Sequence, residues 1–210
     1  MANIDDIPDL VWMKILSFLT PENLLLWANL SQSDQSKCSF NRRLHNLCFE
    51  RKLWRQIHWE SGKVKPQVLR QIIKFMGPHT TKICIKGTDS RKKLLLAIPE
   101  SFLQSIQNRC NNLQTLQLIN CSVDYHSTPL RKLPQSVESI LLDNVLWLNL
   151  PPIVVRRLQA SPFYGLKKRF PNLKSLKVTD QETHRQFGKL DFGCIKVINQ
   201  EDGSATPSLV

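Results

Sequence analysis

Side chains able to do chemistry are few and scattered in this chain. Its six cysteines include no C-x-x-C pair of the kind that builds zinc or redox sites: Cys38, Cys48, Cys84, Cys110, Cys121 and Cys194. His45 and Cys48 lie three residues apart on a predicted helix, a spacing more typical of a surface histidine beside a core cysteine than of a metal site. Asp124, His126 and Ser127 crowd one predicted loop, but nothing there supplies an oxyanion hole. The glycines form no phosphate loop, so we predict no catalytic residue, no metal site and no cofactor.

Positive charge is the strongest chemical signal in the sequence. The formal net charge is +12; residues 1–60 carry 7 Lys+Arg and 7 Asp+Glu, whereas residues 61–210 carry 22 and 10. Two basic clusters stand out in this second part, the later one with two further lysines behind it: Arg91, Lys92 and Lys93, then Lys167, Lys168 and Arg169, then Lys174 and Lys177. Three interpretations remain open: a solvated loop, a site for an acidic or phosphorylated protein, and a nucleic-acid or nuclear-import segment. Aromatic residues are not interleaved with these charges as a base-stacking surface requires.

Neither a membrane span nor a secretory signal is indicated. No apolar run reaches the roughly 18 residues of a membrane helix, and the most apolar stretch, residues 10–19, is broken by Lys14 and Ser17. The first nine residues carry three aspartates, whereas a secretory signal begins with positive charge. We expect an intracellular chain, cytoplasmic and/or nuclear, whose thiols stay reduced.

The first 60 residues predict a group of short helices. Pro8 suits the first turn of a helix, because its missing N–H would be unpaired there. One face of that helix is apolar at helical spacing, and much of the opposite face is apolar too: Val11, Ile15, Phe18 and Leu19 against Leu10, Trp12, Met13 and Leu16. Such a helix has to be covered on more than one side, by the rest of the chain or by a partner. A second helix is predicted to start at Thr20-Pro21-Glu22, and two short helical stretches are predicted at residues 40–49 and 53–57.

Four features between residues 4 and 58 follow one another in the order of an F-box. Ile7-Pro8 opens an apolar helix, a Ser-x-Leu-x-Pro-Glu-x-Leu step runs over residues 17–24, and Leu53-Trp54 closes the segment. This part of the chain resembles the F-box family. The family usually has a cysteine about ten residues after the Pro-Glu step. Here the only candidate is Cys38, which comes about seven residues later than that, so we predict a loop insertion over the polar residues 31–37. The resemblance implies binding of a Skp-type adaptor through these residues: Ile7, Pro8, Leu10, Val11, Ile15, Leu16, Leu19, Leu24, Leu25 and Trp54.

The second part of the chain repeats a strand pattern. Residues 113–121 match L-x-x-L-x-L-x-x-C, the core of a leucine-rich repeat. Copies with aliphatic replacements start at Val137 and Leu173, and weaker ones at Thr80 and Phe192. Helices are predicted between the strands at residues 66–76, 100–110 and 152–159. The alternative is that these segments are the strands of an ordinary α/β domain.

The two parts together resemble the F-box/leucine-rich-repeat family. The expected fold is an α+β or α/β solenoid, with a helical F-box over residues 1–60, a short irregular leucine-rich-repeat array over 61–200 and a disordered tail over 201–210. The resemblance implies a non-catalytic subunit of a Skp–cullin–F-box ubiquitin ligase, which joins the adaptor and the cullin scaffold to a protein substrate. The alternative from another class is a basic nucleic-acid-binding repeat protein with a helical dimerisation module.

Charge and strand position together predict where a substrate would bind. Because the net positive charge lies after residue 60, we expect an acidic or phosphorylated protein. Residues between the inward positions of the repeat strands face away from the core. The predicted contacts are Lys82, Lys86, Arg91, Lys92, Lys93, Gln114, Gln117, Lys174 and Lys177, with Thr115, Ser139 and Ser175 available on the same face.

Overall fold

The first part of the chain is helical, as its apolar spacing predicts. The computed structural model describes residues 6–33, 39–60, 66–88, 96–124, 133–149 and 166–178. Its first elements are three helices and a 3₁₀ turn: α1 (Asp9–Leu16), α2 (Pro21–Ser33), α3 (Ser39–Cys48) and the turn Arg51–Trp54. Thr20 caps α2, because its side-chain oxygen accepts a hydrogen bond from the Asn23 N–H at 3.3 Å.

Strands and helices then alternate along the chain. In order they are β1 (Gln56–Glu60), α4 (Pro66–Ile72) with a 3₁₀ turn (Ile73–Phe75), β2 (Lys82–Lys86), β3 (Leu96–Ala97), α5 (Glu100–Arg109), β4 (Thr115–Asp124), β5 (Ser139–Leu148), α6 (Leu166–Arg169) and β6 (Ser175–Val178). All strand pairs are parallel, in the order β1-β2-β4-β5-β6, and the short β3 pairs with the second half of β4. The expected mixture of helix and parallel sheet is therefore confirmed.

Two rows of side chains across the sheet form its buried face. The rows are Ile57, Ile83, Leu116, Ile140 and Leu176, and then Trp59, Ile85, Leu118, Leu142 and Val178. They share one hydrophobic core with buried side chains of α4 and α5, such as Leu69 and Phe102. The strand residues between them are mostly exposed or half-buried. Parallel sheets are usually covered on both faces, whereas the described helices of this chain lie against one face.

The alternation of buried and open positions is interrupted in the middle of β4 and β5. Asn120 and Asn144 lie opposite each other there, with φ of 52° and 49°, in the left-handed region that asparagine tolerates. The Asn144 Nδ2 donates a hydrogen bond to the Asn120 Oδ1 at 2.9 Å. Beyond this pair the buried residues of β5 are Val145 and Trp147, one residue out of step with Ile140 and Leu142, whereas in β4 all residues from Asn120 to Val123 are buried. Each strand therefore has buried side chains both before and after its asparagine.

Four of the predicted helices can be compared directly with these elements. The helices predicted at residues 40–49, 66–76 and 100–110 are confirmed, with a 3₁₀ turn at the end of the second. The helix predicted at residues 53–57 is wrong beyond Trp54, because Ile57 and Trp59 enter the sheet beside β2 and are buried there. The helix predicted at 152–159, the weak copy starting at Phe192 and the tail 201–210 lie outside the described residues. Within the described residues, no helix has the length and apolar character to cross a bilayer.

Gly87 is the position where the sheet leaves no room for a side chain. Its N–H donates to the Ile119 carbonyl at 2.7 Å, and a Cβ built on Gly87 would clash with the carbonyl oxygen of Asn120. We predict that Gly87→Ala lowers the free energy of unfolding by about 1–3 kcal/mol, because a backbone carbonyl in a sheet cannot move aside.

Gly77→Ala is the matched control. The Cβ added at Gly77 meets only the imidazole of His79, a side chain that can rotate. Urea unfolding of both variants should give the larger loss for Gly87→Ala, and equal losses would contradict the assigned clash.

Candidate protein-interaction surfaces

Helices α1 and α2 carry large apolar side chains on their outer sides. On α1 and just after it, Leu10 is 81% exposed and Phe18 is 76% exposed. The other exposed apolar residues of this outer surface are Val11, Ile15, Leu26, Trp27 and Leu30. The Lys14 Nζ lies 5.2 Å from the Phe18 ring centroid, so a cation flanks the apolar patch. We call these seven apolar residues the helical apolar surface.

The predicted adaptor residues divide between this surface and the core. Pro8, Leu10, Val11 and Ile15 are exposed, and Ile7 and Leu19 are half-buried. Leu16, Leu24, Leu25 and Trp54 are instead buried inside the chain, with exposures of 2%, 2%, 5% and 1%. This corrects the sequence-based assignment, because these inward side chains of α1, α2 and the 3₁₀ turn pack against the rest of the chain and are out of a partner's reach.

Leu26, Trp27 and Leu30 were missed as candidate contact residues. The helical spacing of apolar residues could have identified them. Leu24, Leu25 and Ala28 form one apolar stripe of α2, and the three missed residues form another. A helix with an apolar stripe on each side needs a second cover. The sequence alone could not decide which stripe faces the core.

Hydrogen bonds from Arg43 connect α3 to the first turn of α1. Its Nε donates to the Asp9 Oδ1 at 2.6 Å, and its Nη2 donates to the Ile7 carbonyl at 2.7 Å. Helix α1 has only eight residues, and Leu16 at its end is its only fully buried side chain. Short helices are marginal alone, so Arg43 helps to hold the turn that presents Leu10.

The uncovered side of the sheet forms a second surface, which we call the open face. It has three rows of residues in register, one after another along the strands. The first row is Gln56, Lys82, Thr115, Ser139 and Ser175; the second is His58, Cys84, Gln117, Leu141 and Lys177; the third is Glu60, Lys86, Ile119 and Asp143. Apart from the buried Cys84 these side chains are exposed or half-buried, so the open face is mainly polar.

Of the four described lysines that were predicted to bind substrate, two form ion pairs with carboxylates and two do not. The Lys86 Nζ lies 2.7 Å from the Glu60 Oε1, and the Lys174 Nζ lies 2.8 Å from the Glu138 Oε2. The hydrogen bond from Lys86 holds the pKa of the Glu60 carboxyl below its usual value. Lys82 and Lys177 have no carboxylate partner among the described residues.

The remaining predicted contacts have different places in the structure. Gln117 lies on the open face, and Gln114 is exposed at the edge just before β4. Arg91, Lys92 and Lys93 lie outside the described residues. Helix α6 contains the second basic cluster, where Lys168 is exposed.

The described cysteines are interior residues rather than reactive ones. Burial raises the pKa of the Cys48 and Cys110 thiols to about 11 and that of Cys121 to about 12. A thiol must be deprotonated to act as nucleophile or metal ligand, so these groups are inert near neutral pH. The assignment of Cys48 to the core is confirmed.

The two other chemical clusters considered in the sequence have no active-site geometry in the described residues. His45 is half-buried, and its Nδ1 is hydrogen-bonded to the Ala28 carbonyl at 2.9 Å. In the loop cluster, Asp124 ends β4, and His126 and Ser127 lie outside the described residues. In the described ranges, no group of three or more His, Cys, Asp or Glu side chains could hold a metal ion.

Comparison with known proteins gives no assignment for this chain. It matches no protein-family model and no curated protein. What the chain binds therefore has to be inferred from the helical apolar surface and the open face.

We predict that Arg43→Gln lowers the free energy of unfolding by about 1 kcal/mol, because it removes a charge-assisted pair that is partly exposed. Hydrogen exchange should also accelerate at the Val11 and Trp12 amides, which bond to the Pro8 carbonyl in the turn that Arg43 holds. Arg42→Gln is the control, since Arg42 is the exposed neighbour and has none of these contacts. Equal effects of the two variants would show that Arg43 acts only through net charge.

The raised thiol pKa values predict a loss of stability at alkaline pH. The ordinary pKa of a cysteine thiol is about 9, whereas burial raises the pKa of native Cys48 and Cys110 to about 11 and that of Cys121 to about 12. The unfolded state therefore binds fewer protons in this range, and the free energy of unfolding should fall as pH rises through it.

Mass spectrometry of each site after alkylation at pH 8 should find these three thiols unlabelled when native and labelled in urea. Native labelling at pH 8 would contradict their burial.

Proposed function

We propose that this chain is the substrate-recognition subunit of a Skp–cullin–F-box ubiquitin ligase. The observation that carries the proposal is the helical apolar surface, with Leu10 and Phe18 the two most exposed large apolar side chains among the described residues. Large apolar side chains exposed on the surface of a soluble protein can mark a protein-interaction site. They lie in the segment whose sequence resembles an F-box, where the family binds its Skp-type adaptor.

The coupling of the helices to the sheet supports the bridging role. A single hydrophobic core includes Leu24 and Leu47 of the helices as well as Leu116 and Leu176 of the sheet. The indole of Trp54 stacks on Phe75 with 4.2 Å between ring centroids, next to the start of the sheet. A bound substrate would thereby be held at a defined position relative to the adaptor.

The proposed contribution of the chain to ubiquitination is proximity. The chemistry would belong to the ubiquitin-conjugating enzyme recruited through the RING subunit of the complex. Holding the substrate near activated ubiquitin raises the effective concentration of its lysines. The strands that match the repeat pattern offer the open face as the substrate surface, and a leucine-rich-repeat array is the finer fold that we propose for this part.

The decisive experiment is co-expression of the chain with a Skp-type adaptor. We predict a stable 1:1 complex on gel filtration, with the cullin scaffold recovered through the adaptor. Leu10→Asp and Phe18→Asp should each weaken adaptor binding at least about tenfold, because each places a charge in an apolar interface. Leu16→Asp would not test the interface, since Leu16 belongs to the core.

Leu146→Asp is the matched control. Leu146 is an exposed leucine of β5, 48% accessible and outside the helices, so adaptor affinity should stay within about twofold of wild type. Failure of the wild-type chain to form the complex would refute the proposed function. A complex that survives both helix substitutions would show that another face binds the adaptor.

A further inference from the structure

We propose that the place where the helices meet α4 and α5 binds an acidic segment of a partner protein that carries one large apolar side chain. We call this place the junction surface. It consists of Phe49 and five exposed cationic residues, which are Arg51, Lys52, Arg70, Lys74 and Arg109. It shares no residue with the helical apolar surface or with the open face. The inference therefore goes beyond the proposed function and does not depend on it.

Aromatic rings at the centre of the junction surface pack against one another. The Phe75 ring centroid lies 4.2 Å from that of Trp54 and 4.9 Å from that of Phe49. The His45 ring centroid is 4.6 Å from that of Phe49. Trp54 is buried and Phe75 is half-buried, whereas Phe49 is 46% exposed. Because packing already fixes the Phe49 ring, an apolar side chain of a partner can contact it at little cost in conformational entropy.

Two cations come from the turn that connects the helices to β1. Arg51 and Lys52 lie between Phe49 and Trp54, the two residues whose rings contact Phe75. Both cationic side chains are exposed. Since the two ends of this short segment pack on one ring, Arg51 and Lys52 are held close to Phe49.

Three further cations meet where α4 and its 3₁₀ turn end. Lys74 directly precedes Phe75, and Arg70 lies one helical turn before Lys74. Arg109 comes from the end of α5, where its Nη1 donates a hydrogen bond to the Ile73 carbonyl at 3.3 Å. All three cationic side chains are exposed. The fold thus adds Arg109, 36 positions away from Ile73, to a basic group that the local sequence shows only in part.

The positive charge of the junction surface is not balanced within the described residues. None of its five cationic side chains forms an ion pair there, whereas Lys86 and Lys174 are both paired with carboxylates. Next to the turn lies one exposed carboxylate, that of Glu50. Complementary charge steers a partner toward a surface and disfavours partners of like charge. The segment that this surface attracts is therefore acidic.

An acidic protein segment fits the junction surface better than a nucleic acid does. Single-stranded nucleic acid is held by several aromatic rings that stack successive bases along a track of cations. Of the aromatic rings grouped here, Phe49 is the exposed one. Exposed ion pairs are individually weak, so a partner also needs apolar contact with Phe49. A segment with carboxylates on both sides of one Phe or Leu meets both requirements.

The test is a fluorescence anisotropy titration of the full-length chain with fluorescein-labelled heptapeptides. The acidic probe is Asp-Glu-Asp-Phe-Glu-Asp-Glu-amide. One control peptide, Asn-Gln-Asn-Phe-Gln-Asn-Gln-amide, keeps the shape without the carboxylates, and another replaces the Phe of the probe by Ala. The acidic probe should bind at least about tenfold more tightly than the amide control and several-fold more tightly than the Ala control. The titration needs no adaptor, so its failure is distinct from failure of the adaptor complex.

Paired variants separate a local surface from general charge. Lys52→Gln with Lys74→Gln should weaken binding of the acidic probe at least about fivefold, because two unpaired cations are removed. The matched control, Lys82→Gln with Lys177→Gln, removes the same charge from the open face, and its affinity should stay within about twofold of wild type.

Phe49→Ala tests the apolar contact. It should weaken binding of the acidic probe several-fold and abolish the difference between the Phe and Ala peptides, as expected for two side chains that contact each other. The lysine pair changes exposed side chains alone, so it tests the junction surface independently of any loss of stability in Phe49→Ala.

Four results would overturn the inference. One is absence of binding by the acidic probe below about 1 mM. Another is equal binding of the amide control, which would mean that carboxylates are not recognised. An equal loss of affinity in the control pair would reduce the effect to net charge. Displacement of the acidic probe by a lower concentration of oligothymidylate would assign the junction surface to nucleic acid.

Discussion

Burial of one face of a parallel sheet is the constraint on which the rest of this structure depends. The inward row from Ile57 through Leu116 to Leu176 sets the register of β1, β2, β4, β5 and β6, because a slip of one residue would turn that row to the opposite face. Once this row is buried, the residues between its members lie on the opposite face and form the open face, because successive side chains of a strand point to opposite sides. The outward positions of Thr115, Ser139 and Ser175, and of Lys82 beside them, are thus a consequence of core packing.

The helices are joined to this sheet through a compact set of contacts around Trp54. Its Nε1 donates to the Cys48 carbonyl at 2.9 Å, and its own carbonyl accepts a hydrogen bond from the buried Thr80 hydroxyl at 3.1 Å. These contacts run from α3 to the segment before β2, and the ring stacks on Phe75. The cost of burying polar groups here is offset by these hydrogen bonds. The helices that carry the helical apolar surface and the sheet that carries the open face share one continuous hydrophobic core.

The net charge of +12 is a poor guide to where the chain can attract an anion. Lys86 and Lys174 are both balanced by carboxylates, although the sequence places them among its basic residues. Attraction at short range depends on the charges that remain unpaired, and exposed charges farther away are screened by salt beyond about 8–10 Å. The open face therefore has a local electrostatic character that differs from the average of the chain.

The sequence by itself determined the element types, because periodicity is a local property. The strand patterns around Ile83, Leu116, Ile140 and Leu176 each correspond to a strand, and most predicted helices in the described ranges are helices. From the sequence, the helical apolar surface could be located only to the first helices, and the open face only to the strand residues between the inward leucines. The F-box and repeat interpretation of these elements stays a prediction.

Tertiary structure alone decided which apolar residues are interior and which lysines are paired. Leu16 and Leu24 have the same residue type as Leu10 and Leu26, yet the first two are buried and the last two are exposed. The Asn120–Asn144 pair interrupts the alternation in mid-strand, and Glu138 meets a lysine 36 positions away. Each of these outcomes depends on contacts between residues far apart in the chain, and local spacing contains no information about which distant segment will be the neighbour.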